Sequence, residues 1–322
     1  MANAQELVAE KPQIDLKDLE SELLVATETD SNGQTLLEIL IRECNNRPDW
    51  HHDETIPDDE VKVPSIIEHA LELMYEAHDT RTRKNGDVYV THELRPAIRM
   101  VTQGASANIV ATILIHDVIE EDAASVIEYL YEHNTDLRLP HIEKSDDPDT
   151  LIEQALHLLM FIPEYRPIVH RLGLLTNRQY PSYILLMPEA TPEQVRAKNT
   201  AKHDYRAKKI DELIEEGDAE LAWAKYEDTH DIITHLEHDF SKLGREHIQW
   251  FEKLIDKYTI MLDTWQSHSA DSRPSQVTDK LIEADRSTIE QFRQKIESCS
   301  EPRCHTLGGY AFAAAEAEPG AA

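Results

Sequence analysis

From residue 35 onward, stretches in which apolar residues recur every three or four positions alternate with short polar breaks. TLLEILIRE (35–43) predicts a short helix, and NNRPDWHHDETIPDDE (45–60) reads as a loop by composition. Pro64 suits a first helical turn, after which Ile66, Ile67, Ala70, Leu71, Met74 and Tyr75 keep helical spacing through to His78. A polar stretch with an Asn85-Gly86 turn precedes a helix over 93–102, which Gln103-Gly104 breaks. The run IVATILIHDVIEED (109–122) predicts the helix around which the rest is organised, and a further helical stretch follows over 123–132. Residues 134–150 read as loop, 151–161 and 165–175 as helices, and 176–192 as irregular chain. Helices are then expected over 197–216, ending at Gly217, from Asp218 to about 238, and over 243–266 and 275–298. No segment alternates with period two for long enough to make a sheet, so the expected class is all-α. Residues 1 to about 35 form a polar, acidic arm, and the small-residue tail 301–322 is expected to be disordered.

Composition agrees with helices, with only 9 Gly among 322 residues. Charge changes the picture more. The 62 acidic residues against 32 basic ones leave a formal net charge of −30, a surface that repels nucleic-acid phosphates and anionic lipid. Neither a nucleic acid nor a membrane is therefore an expected partner, and an anionic substrate needs a metal or a local basic patch to be admitted. The three cysteines, Cys44, Cys299 and Cys304, are odd in number and widely spread, which fits a reducing cytoplasm better than a disulfide framework. Cys299, Cys304 and His305 lack a fourth ligand at metal spacing. The amino terminus lacks the basic and apolar regions of a signal peptide, and a cytoplasmic location is expected.

Candidate chemistry gathers on the organising helix. Helical spacing puts His116 and Glu120 on one face, with Asp117 and Glu121 on the adjoining strip. With His92 and the distant Asp228, the pair His116-Asp117 makes a set of imidazole and carboxylate donors. Such a set suits Mn²⁺, Fe²⁺ or Mg²⁺ rather than a thiolate-bound structural zinc. Arg81, Arg83 and Lys84 form a basic island just before His92. His51-His52 sits in an acidic loop with no partner at ligand spacing, and reads as solvated surface. His78, His230 and His235 could approach the site but read as surface or packing residues.

The run EAHDTRTRKNGDVYVTHELRPA (76–97) resembles the amino-terminal signature of HD-domain phosphohydrolases of the RelA/SpoT type. ATILIHDVIEED (111–122) is similar to that family's Leu-His-Asp-Val-Val/Ile-Glu-Asp helix. LTNRQYPSY (175–183) and AWAKYEDTHDI (222–232) resemble its later segments, so the likeness spans about residues 64–240. It implies an HD-domain helical bundle over 61–240, with an inserted segment at about 134–215. Residues 1–60 form an amino-terminal arm and short helix, and additional carboxyl-terminal helices over 241–300 either cap the pocket or pair subunits into a homo-oligomer. It implies His92, His116, Asp117 and Asp228 as metal ligands, with Mn²⁺ as the usual ion, and Glu120 and Glu121 as the pair that positions or deprotonates the attacking water. Arg83, Lys84, Lys225 and Asp231 are expected to hold a small anionic nucleotide. The implied activity is metal-dependent phosphohydrolysis, in the family's case removal of the 3′-pyrophosphate from guanosine 3′,5′-bis(diphosphate). Glu121 stands where the family has Asp, Ile232 where it has Asn, and the stretch between the His-Asp pair and Asp228 is longer than in small alarmone hydrolases. Two alternatives follow: an altered HD-fold protein serving as a nucleotide-binding or regulatory scaffold, and a di-iron oxygenase that would need extra His ligands.

Overall fold

The computed structural model describes residues 35–50, 63–78, 82–177 and 192–300. The expected arm 1–34, His51-His52, Arg81, residues 178–191, Cys304, His305 and the tail lie outside these. The described chain is all-α, with ten helices and, as extended pairing, an isolated antiparallel bridge between Thr82 and Val88. The helices are α1 (Leu36–Asn45), α2 (Ser65–His78), α3 (Thr91–Thr102), α4 (Ala107–His133), α5 (Pro148–Leu159), α6 (Val169–Leu175), α7 (Pro192–Glu216), α8 (Ala219–Leu243), α9 (Ile248–Ser267) and α10 (Asp279–Ser300).

Local chemistry sets the ends of these helices. Thr35 and Glu38 form a reciprocal capping box at the start of α1. Asp147 caps α5 ahead of Pro148, and Asp218 caps α8 by accepting from the Leu221 amide. Between α7 and α8 the chain reverses at Gly217, whose φ of +77° is strained for any residue carrying a Cβ.

Helix α4 is the axis of the molecule, contacting α2, α3, α5, α6 and α8. That is why residues 109–119 are apolar on nearly every face apart from Thr112 and the His116-Asp117 pair: Ile109, Val110, Ile113, Leu114, Ile115 and Val118 are all fully buried. The two helical stretches expected on either side of Asp122 meet within α4 at a kink, where Asp122 leaves helical geometry (φ −132°, ψ 31°). The observed helices at 169–175, 248–267 and 279–300 begin later than their apolar periodicity predicts, because turns at 160–168 and 245–247 and the loop before α10 carry part of the apolar pattern.

Helix α8 joins the halves of the chain, packing on α3 and α4 on one side and on α9 and α10 on the other. Helix α7 packs on α8 and α9. One apolar cluster runs from Leu37 to Ile296, with the Phe240, Phe251 and Phe292 rings meeting edge to face where α8, α9 and α10 converge. Among the described residues no helix is long and apolar enough to cross a membrane.

Candidate metal centre and pocket

Helices α3, α4 and α8 bring together four side chains from three distant stretches of the sequence. His92, Asp117 and Asp228 offer ligand atoms that all lie within 4.8 Å of one another. His92 Nε2 is 3.1 Å from Asp228 Oδ1 and 3.5 Å from Asp117 Oδ2. His116 Nε2 adds a fourth donor, 3.0 Å from Asp117 Oδ1 and 3.8 Å from Asp228 Oδ1. His92 and His116 are buried, and the His116 Nε2 makes no hydrogen bond of acceptable geometry. An orphaned buried nitrogen facing two carboxylates is what a metal ligand looks like without its ion.

The outer atoms of these residues are held from behind. The His116 Nδ1 donates to the Ile113 carbonyl at 2.8 Å, which commits Nε2 to the cluster. The His92 Nδ1 donates to Asp231 Oδ2 at 2.9 Å. Asp231 in turn accepts from Arg95 Nη2 at 2.9 Å and Arg99 Nη1 at 3.0 Å. Lys225 Nζ donates to Asp228 Oδ2 at 2.9 Å, leaving Oδ1 toward the imidazoles. Donor type and rear support together fit a divalent ion, so His92, Asp117 and Asp228, with His116 beside them, can hold one.

The carboxylates favour the protonated form of both imidazoles. Burial opposes a charge on His92, but the carboxylates of Asp228 and Asp231 on its two nitrogens prevail and raise its pKa to about 9. The same contest raises His116, where Asp117 and Asp228 outweigh burial. Burial pushes Asp228 up, yet Lys225 and the two imidazoles hold it well below the ordinary carboxylate range. Asp231 is held low in the same way by His92 and Arg95.

A cavity of about 160 Å³ opens beside this cluster. Glu120, one turn beyond His116, lines it and accepts from the Asn177 amide and side chain at 3.0 and 2.9 Å, all through Oε2. Its Oε1 has no hydrogen bond among the described residues, and burial together with Asp117 raises its pKa. Glu121, Arg83 and Lys225 also line the cavity. Arg83 is brought there by a loop that Gly86 closes at φ +85°. Asp87, His238 and Asp239 also gather acceptors closely enough for a cation. They are already occupied, however: Lys242 and His238 donate to Asp87, and Asn85 donates to Asp87 and Asp239, so the loop is tied to α8.

Two residues expected to touch substrate lie elsewhere. Lys84, next to Arg83 on the tight loop, points the other way and sits over the Trp250 ring, 4.9 Å from its centre. Asp231 is fully buried behind His92, where its work is to orient that imidazole. His230 binds Asp285 at 2.8 Å and His235 bonds the Asp231 carbonyl at 2.7 Å, so both are packing residues. The supporting Arg95 and Arg99 were within reach of helical spacing, since they share a face with His92. Asn177, which lines the cavity, belongs to the 175–183 stretch noted in the sequence but is not singled out there, and Arg206, Lys257 and Tyr258, also lining it, come from segments with no recognisable motif.

Comparison of the chain with protein-family models, curated proteins and solved structures yields no match.

Proposed function

We propose that the protein is a metal-dependent phosphohydrolase acting on a phosphorylated nucleotide, with Mn²⁺ as the ion. The observation that carries this reading is a metal-competent His and Asp cluster sharing one cavity with Arg83, Arg206, Lys225 and Lys257, in a chain of net charge −30. His92, His116, Asp117 and Asp228 would hold a divalent ion, which would supply an acidified water and offset phosphoryl charge. Glu120 accepts the proton of the attacking water through its free Oε1, while Asn177 holds the other oxygen still. A raised pKa suits a carboxylate for that exchange. Lys225 keeps Asp228 oriented, and Arg83 draws the phosphate in.

At about 160 Å³ the cavity is smaller than the roughly 300–1,000 Å³ that envelops a whole small molecule. It therefore receives phosphoryl groups, with the nucleoside outside. The resemblance noted above makes guanosine 3′,5′-bis(diphosphate) the first substrate to try, with loss of the 3′-pyrophosphate. The test is release of phosphate or pyrophosphate from that compound and from ordinary nucleotides, with Mn²⁺ and again with chelator. Metal-dependent release supports the reading. Metal binding with no release from any nucleotide overturns it in favour of a binding scaffold, and oxygen consumption with iron would point to an oxygenase.

A further inference from the structure

The cavity has two walls of opposite character. One is built of Asp117, Glu120 and Asp228 around the His92 imidazole, and the other takes Arg206 from α7 and Lys257 and Tyr258 from α9. Arg206 lies in the inserted stretch, and Lys257 lies beyond the end of the family resemblance. Lys257 Nζ donates to the Tyr258 hydroxyl at 2.8 Å and lies 4.3 Å from the centre of that ring. Among the described residues neither Arg206 nor Lys257 has a carboxylate at ion-pairing distance, and the Arg83 side chain at the edge of the same cavity has none either. With 62 acidic residues available to pair 32 basic ones, three cations around one cavity without an ion-pair partner among the described residues are conspicuous. They also work against each other: burial and the facing guanidinium of Arg206 hold the Lys257 ammonium well below the ordinary lysine range. Like charges converging in a half-enclosed space are relieved by an anion between them.

We propose that Arg206 and Lys257, with Arg83 at their edge, form an anion subsite for a phosphoryl group other than the one attacked beside the His–Asp cluster. Only the words about attack rest on the phosphohydrolase reading; the anion site itself does not. Its ligand is a diphosphate or a molecule carrying two phosphoryl groups, one for the His–Asp cluster and one for the Arg206 and Lys257 pair that lines the same cavity. Helices α7 and α9 then have a task beyond packing, which is to select ligands by the number of their phosphoryl groups.

The test uses the full chain loaded with Mn²⁺ and titrated calorimetrically with inorganic pyrophosphate and, separately, inorganic phosphate. Arg206→Gln and Lys257→Met should each weaken pyrophosphate by about tenfold or more, the worth of one charge-assisted hydrogen bond. Mn²⁺ content should be unchanged, and Arg206→Lys should recover most of the loss. Lys257→Met keeps the volume of a half-buried side chain; should it fail to fold, Arg206 decides alone. A double variant that binds pyrophosphate within about twofold of the parent overturns the subsite. The two readings fail separately. Weakened pyrophosphate binding with no turnover of any nucleotide keeps the subsite and ends the hydrolase proposal. Turnover with an unchanged KM in the double variant does the reverse.

Discussion

The two walls of the cavity differ in how they are held. On the His–Asp wall, His92, His116 and Asp228 each have an atom tied from behind, by Asp231, the Ile113 carbonyl and Lys225. That wall is preorganised, and its geometry does not wait for a ligand. On the other wall Arg206 and Lys257 repel one another, and among the described residues no carboxylate lies at ion-pairing distance from either, Asp228 and Glu120 acting on Lys257 only from farther off. One wall is finished by the fold, whereas the other, on the subsite proposal, waits for its ligand. In the proposed reading charge in this protein is sorted by task, with acid and imidazole gathered for a cation and Arg206 and Lys257 left for an anion.

The sharpest way to break this contrast is through Glu120, which belongs to the preorganised wall but not to the ligand set. Glu120→Gln should retain metal and lose turnover by about 10²–10⁴, the usual worth of a general base. Full activity in a steady-state assay would move the base elsewhere. Next comes the rear support. Asp231→Ala strips His92, Arg95 and Arg99 of a shared buried partner, and chemical denaturation of the metal-free protein should show a loss of about 3–5 kcal/mol. A loss below about 1 kcal/mol would mean that the wall is not held from behind.

Acidity offers a third test. The pKa of His92 is raised in the folded, metal-free protein to about 9, so the stability it contributes is complete below an ordinary imidazole pKa of about 6.5 and fades as pH rises through about 9. Metal must displace that proton, so Mn²⁺ affinity should rise between pH 6 and 9 by up to about tenfold per unit for each proton displaced. Calorimetric affinities that stay flat across this range would contradict it. The smallest effect belongs to Lys84→Ala. Because Lys84 rests on Trp250, KM for any substrate should change by less than about twofold, whereas Arg83→Ala should raise it by about tenfold.

Much of the His–Asp wall was legible before folding. His116, Asp117 and Glu120 sit within one turn of a single helix, and periodicity places them on adjoining faces. The all-α class followed from the same periodicity. What the pattern does not encode is depth. Asp231 follows Asp228 by three residues and shares its face, yet it ends behind His92 rather than in the cavity. Arg83 and Lys84 are neighbours on a loop closed by the Thr82–Val88 bridge, and adjacent side chains there diverge. The facing wall was invisible for another reason: Arg206 and Lys257 reach the cavity only because α7 and α9 pack on α8, and no local spacing announces a contact between such distant helices.

The most direct measurement is the metal content of the purified protein after equilibration with Mn²⁺ and removal of free ion. The parent chain should retain Mn²⁺, while His116→Ala and Asp117→Ala should each retain almost none with helicity by circular dichroism nearly unchanged. Variants that hold as much metal as the parent would show that the ion, if any, sits elsewhere, and the His–Asp wall would lose its purpose.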